Sequence, residues 1–163
     1  MNRSVLLASI ALALSSSLAL ADSTISQVDP VASINTKDEL AVHGYDAVSY
    51  FTDGKPQHGS AQFEYVWHGA RWQFVSVQHR DQFAKNPERY EPQFGGYCAL
   101  AVSLGRIADG DPEQWAVVND KLFLNNNPRA KAAWDEDRPG NIVLGQHNWP
   151  LIPKRPDDSA AKR

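Results

Sequence analysis

The stretch 62–74 constrains the fold more than any other part of the chain. Phe63, Tyr65 and Trp67 alternate with Gln62, Glu64 and Val66; His68-Gly69-Ala70 follows; then Trp72 and Phe74 alternate around Gln73. Side chains on a strand point to opposite faces with a period of two, so each run puts its aromatic rings on one face. A helix would scatter the same rings around its circumference. Two alternating runs joined by a glycine-containing loop predict a β-hairpin. Aromatic side chains in that pattern ordinarily pack across strands, and they are read here as core.

The remaining elements follow from the same rules. Ala47 to Phe51 is a short apolar run before Thr52-Asp53-Gly54 and reads as a strand ending in a turn. Ser76 is a suitable N-cap for a helix over 77–85, which must stop before Pro87 because the residue ahead of a proline disfavours the helical region. Pro87 to Tyr90 reads as a final turn. Gly95-Gly96 opens a short helix over 97–104, with Gly105 just past its end. Trp115–Val118 and Leu122–Leu124 flank Asn119-Asp120-Lys121 as a second hairpin. A helix from Asn127 to Asp135 has Pro128 at its first position. The expected class is α+β, a small antiparallel sheet built from β-hairpins with short packed helices.

The start of the chain reads as a secretory signal peptide. Arg3 precedes an almost wholly apolar run from Val5 to Leu20, and Ala19-Leu20-Ala21 supplies a small-residue cleavage pattern. That run is shorter than the roughly 20 residues a spanning helix needs, and no later stretch is long and apolar enough. The expected organisation is a signal peptide over 1–21, a flexible polar arm over 22–39, one domain over 40–149 and a polar tail over 150–163. The signal's style points to a bacterial periplasm.

Removing 21 of 163 residues leaves 142, and takes one basic and no acidic residue, moving the net charge from −3 to −4. No broad positive footprint for nucleic acid remains. The sole methionine, Met1, is lost with the signal, which excludes a methionine-rich copper-trafficking surface. The single cysteine excludes an internal disulfide and a zinc site made of cysteines alone. In an oxidising compartment that lone thiol is either functional or a buried small hydrophobe.

At this point the residues resemble a known family. Gly44-Tyr45-Asp46-Ala47-Val48-Ser49-Tyr50-Phe51 is similar to the opening motif of YHS-domain proteins. The hairpin around Trp67 to Phe74, then Phe74-x-Ser76, Phe83, Asn86-Pro87-Glu88-Arg89-Tyr90 and Gly95-Gly96-Tyr97-Cys98-Ala99 follow in the same order. The resemblance covers roughly 40–149 and points to the secreted, stand-alone branch. It implies a small metal-binding or metal-sensing module found beside heavy-metal transporters. The three cysteines of metal-type members fall on Ser49, Val75 and His79, so the usual thiolate cluster is absent here. Some secreted members carry selenocysteine at the position of Cys98, which implies a working chalcogen there.

Cys98 at a predicted helix start would meet unpaired N–H groups and the positive end of the dipole, which favour a thiolate. Its candidate partners are His43, ahead of the Gly-Tyr-Asp motif, and His79, on the helix after the hairpin. One thiolate with two imidazoles suits copper or zinc, and the affinity order favours copper. Asp46 could orient a histidine or serve a turn. His58 and His68 fall in turns and His147 near the tail, and they are left out.

Three functions are therefore expected in competition. The first is a periplasmic metal-binding protein, most simply for copper, that meets a metal transporter or another periplasmic protein. The second is a single-cysteine thiol redox or peroxide-reducing protein, with Cys98 as its catalytic residue. The third is a non-catalytic partner-binding module. Serine-hydrolase chemistry has no motif, and Asp109-Gly110-Asp111 lacks the pattern of a calcium loop.

Overall fold

The computed structural model describes residues 31–154. The expected signal peptide, the start of the arm and the end of the tail lie outside the described residues. Strands β1 (Thr36–Lys37), β2 (Leu40–Ala41), β3 (Ser60–Trp67) and β4 (Ala70–Phe74) form a sheet in the order β1-β2-β4-β3. The β3–β4 hairpin is the one expected from the aromatic alternation. It pairs Tyr65 with Trp72 and Trp67 with Ala70, and turns through His68 (φ 48°) and Gly69 (φ 73°). Both turn residues have positive φ, as the twist of a two-residue hairpin demands. One contact departs from the antiparallel expectation: β2 meets β4 in parallel, at Leu40 and Arg71.

The run from Ala47 to Phe51 is not a strand. It enters the short helix α1 (Ser49–Thr52). The carboxylate of Asp46 accepts the N–H of Val48 at 2.8 Å and of Ser49 at 3.3 Å, so an acidic cap turns the chain into a helix. A short apolar run buried on all sides carries no periodicity to distinguish the two forms.

Helix α2 (Val77–Lys85) occupies its expected span, with the Ser76 hydroxyl accepting the N–H of His79 at 3.2 Å. The turn α3 (Pro87–Tyr90) follows, and a tight turn over Gln93–Gly96 leads to α4 (Ala99–Ser103). Cys98 is the N-cap of α4 and stands one step outside the helix rather than in its first turn. Strands β5 (Asp111–Val118) and β6 (Lys121–Asn125) make the second expected hairpin. Helix α5 (Pro128–Glu136) is capped by Asn127, whose side chain accepts the Ala130 N–H at 2.9 Å.

Helix α6 (Arg138–Asn148) is absent from the sequence expectation. Pro139, Gly140 and Gly145 argue against a helix there. The Asp137 carboxylate nevertheless accepts the Gly140 N–H at 3.0 Å, and a proline in the first turn costs no hydrogen bond. Among the described residues no helix is long and apolar enough to cross a membrane.

Two apolar clusters share β6. Leu122 and Leu124 join Val48, Tyr50, Trp72, Phe74 and Phe83. Phe123, pointing the other way, joins Phe94, Tyr97, Val102, Trp134 and Ile152. Each face of the β5–β6 hairpin thus supplies one cluster. The described part of the arm is packed: Ile34 is 6% exposed and the Asn35 N–H donates to Gly95 O at 2.8 Å. The described part of the tail is packed too, with Ile152 only 1% exposed and Pro153 O accepting the Val31 N–H. Apolar side chains hold both segments against the domain.

Candidate functional site

Asp46 and His79 are brought together. Oδ2 of Asp46 lies 2.7 Å from Nδ1 of His79 and also accepts the Val75 N–H at 3.0 Å. The carboxylate has no exposed surface, and the imidazole keeps 13%. Asp46 therefore both caps α1 and orients a histidine. His79 Nε2 lies 3.5 Å from Thr52 Oγ1, at the limit of a hydrogen bond.

His43 sits elsewhere, in a tight turn over Val42–Gly44 with φ of 52°. Burial holds its imidazole below the usual range and Lys37 pushes the same way, while Asp109 and Asp111 pull it back up. It belongs to an acidic neighbourhood in which Tyr45 donates to Glu113 at 3.0 Å and stacks on His58.

Cys98 is 2% exposed. Its N–H donates to Ala108 O, and its Sγ lies 3.8 Å from Asn125 Oδ1, an acceptor that suits a thiol hydrogen. The same oxygen accepts the Leu100 N–H at 3.2 Å. That N–H at the start of α4, one of those expected to favour a thiolate, is thus spent on Asn125. The Asn125 Nδ2 is buried with no partner among the described residues.

Copper or zinc held by Cys98, His43 and His79 requires all three within reach of one ion. Among the described residues no three His, Cys, Asp or Glu side chains are gathered in that way. Each of the three is engaged locally: Cys98 inward on Asn125, His79 on Asp46, His43 beside Asp109 and Asp111.

A cavity of about 510 Å³ lies apart from these residues. Its lining comes from four stretches far apart in sequence: Ser33 and Ile34, His68 on the hairpin turn, Glu91 to Gly95, and Gln146 to Lys154 at the end of α6. Two glycines let these stretches close on one another. A Cβ on Gly95, at φ of 61°, would stand 2.0 Å from Ser33 O, and one on Gly145 would stand 2.6 Å from Cζ of Phe94. Phe94 also faces Trp149, with ring centroids 6.2 Å apart.

Burial acts on the two charged carboxyl and ammonium groups of this cavity in opposite senses. Burial pushes the Glu91 carboxyl up, against the Trp67 N–H and His68, which pull it down. Burial pulls the Lys154 ammonium below the usual lysine range. Shifted groups in a concavity of this size are the features by which candidate binding sites are recognised. Glu91, Phe94, Trp149 and Lys154 escape sequence reasoning because Glu91 follows a turn and Lys154 falls in a segment that reads as tail. The signal that could have found them is two aromatic residues beside unpaired charges in proline-bracketed segments.

Comparison of the chain with family models, with curated proteins and with solved structures finds no match.

Proposed function

We propose that this chain is a non-catalytic binding module, secreted after loss of residues 1–21, whose ligand sits in the cavity between the Glu91–Gly95 segment and the end of α6. One observation carries the reading. A concavity of about 510 Å³ combines aromatic walls, Phe94 and Trp149, with the charged side chains Glu91 and Lys154. Its volume falls within the roughly 300–1,000 Å³ of small-ligand sites, and mixed aromatic and polar lining is their usual chemistry. A thiol redox function draws less support, because a peroxide must reach a sulfur that is 2% exposed.

The test is a thermal-shift screen of small ligands on the protein and on Gln146→Trp, which puts bulk at an exposed position of the cavity rim. Ligands that raise Tm should lose their effect in the variant. Ligands that act equally on both proteins would contradict this seat.

Metal binding keeps one supporting observation. With Nδ1 of His79 given to Asp46 at 2.7 Å, Nε2 is the nitrogen left for an ion, as in carboxylate–histidine–metal triads. On that reading the resemblance to YHS-domain proteins would reflect copper or zinc held at His79 with donors from a partner. Metal analysis of the secreted protein beside His79→Ala and Cys98→Ser separates the cases. Stoichiometric metal lost only in His79→Ala supports it, and a metal-free protein opposes it.

A further inference from the structure

The geometry points to a small zwitterion with an apolar body as the cavity's ligand, its ammonium against Glu91 and its carboxylate against Lys154. This inference rests on the cavity being a ligand seat and adds the class of molecule that sits there.

Glu91 and Lys154 line one cavity, and among the described residues neither forms an ion pair. Oε2 of Glu91 accepts the Trp67 indole N–H at 3.3 Å. Among the described residues Oε1 has no hydrogen-bond partner, and the carboxylate is in no ion pair. A half-buried carboxylate held by one neutral donor, with His68 and Lys121 acting on it only through space, has lost much of its water without gaining a cation in direct contact. A ligand ammonium would supply that cation.

Lys154 presents the opposite case. Its Nζ donates to Trp149 O at 2.9 Å and to Ile152 O at 2.7 Å. It stands 3.6 Å from the centroid of the Trp149 ring. An ammonium carries three N–H donors, so one remains uncommitted among the described residues. The two carbonyls and the ring fix the position of Nζ while leaving its charge without an anion among the described residues. A ligand carboxylate would take the third N–H in a charge-assisted bond.

Apolar side chains line the same cavity. Pro92 and Phe94 continue the chain from Glu91, and Phe94 meets Trp149, which carries Lys154 over its face. The lining thus combines an anion, apolar surface and a cation. A cationic ligand alone would leave Lys154 unpaired, and an anionic one would leave Glu91 unpaired. A molecule with both charges and an apolar middle satisfies all three parts. Free amino acids and short peptides share that chemistry.

Calorimetric titration at neutral pH with L-phenylalanyl-L-leucine, its N-acetyl form, its C-terminal amide and the doubly capped peptide tests this. The zwitterion should bind at least ten-fold more tightly than either singly capped form. Glu91→Gln, which keeps an acceptor for Trp67, should lower affinity for the free-amine peptide about ten-fold and leave the N-acetyl form unchanged. Lys154→Met should do the same for the free carboxylate and not for the amide. L-Phenylalanine, titrated alongside, separates an amino-acid ligand from a peptide. Equal binding of the zwitterion and the doubly capped peptide would overturn the inference while leaving the ligand seat intact. No binding by any probe, with no response at the cavity residues, would overturn both.

Discussion

Nδ1 of His79 and Oδ2 of Asp46 stand 2.7 Å apart, and the carboxylate is wholly shielded from solvent. Asp46 also receives N–H groups from Val48, Ser49 and Val75. One side chain therefore ties the start of α1, the end of β4 and the first turn of α2. A buried carboxylate tolerates its loss of water only with such a full set of donors. Removing it leaves the Val48 and Val75 N–H groups and an imidazole without that acceptor, while the Ser49 N–H keeps the Asp46 carbonyl oxygen at 3.2 Å. Asp46→Ala should cost about 3–5 kcal/mol of stability, and Asp46→Asn about 1–3 kcal/mol. Urea unfolding measures both. A change below about 1 kcal/mol for Asp46→Ala would show that the network does not hold these elements.

Cys98 should behave as a buried thiol. Its exposure of 2% and its contact with Asn125 predict that labelling waits for local opening. Alkylation in the native protein should run at least about 100-fold slower than in urea. Cys98→Ala should be tolerated as a small core substitution, with a loss of about 1–2 kcal/mol. Native and denatured rates within a few-fold of each other would favour the functional thiol, the other alternative that the sequence leaves open.

Glu91 gives a pH dependence of definite sign. Burial raises its pKa in the folded chain above the unfolded value. Between those two values the folded chain holds a proton that the unfolded chain has released. Stability therefore falls as pH rises through that window and levels off above it. Glu91→Gln lacks this titration and still accepts from Trp67. Its stability relative to the parent should be greater at pH 7 than at pH 4. Urea midpoints across that range measure the difference, and parallel curves for the two proteins would contradict the assigned cause.

Gly95 holds the wall of the cavity. Its φ is 61°, and a Cβ at this position would approach Ser33 O to 2.0 Å, which leaves no room for a side chain. Gly95→Ala should destabilise by about 1–3 kcal/mol and shift the amide resonances of Ser33 and Ile34. An unperturbed spectrum would mean that the arm does not pack there.

How much of this is legible in the sequence depends on the range of the interaction. The two hairpins are legible because alternation and turn residues are local, as in Tyr65 opposite Trp72. The caps at Ser76 and Asn127 are legible for the same reason. Helix α1 reads wrongly as a strand because its cause, the Asp46 side chain, competes with a strand-like composition. Helix α6 leaves no trace because Gly145 serves a close contact with Phe94 that no local pattern records. Cys98 falls at a helix start as expected, yet its inward direction depends on Asn125, 27 positions later. The cavity is invisible for a related reason: Ser33, His68, Glu91 and Lys154 meet only after the arm and tail pack against the domain.

The central claim is that this cavity receives a ligand. A ¹⁵N-resolved NMR titration with L-phenylalanyl-L-leucine tests it most directly. The account predicts saturable shifts at Gln93, Gly95 and Gln146, abolished in Trp149→Ala. Shifts centred on His43 or Cys98, or no saturable shifts at all, would contradict it.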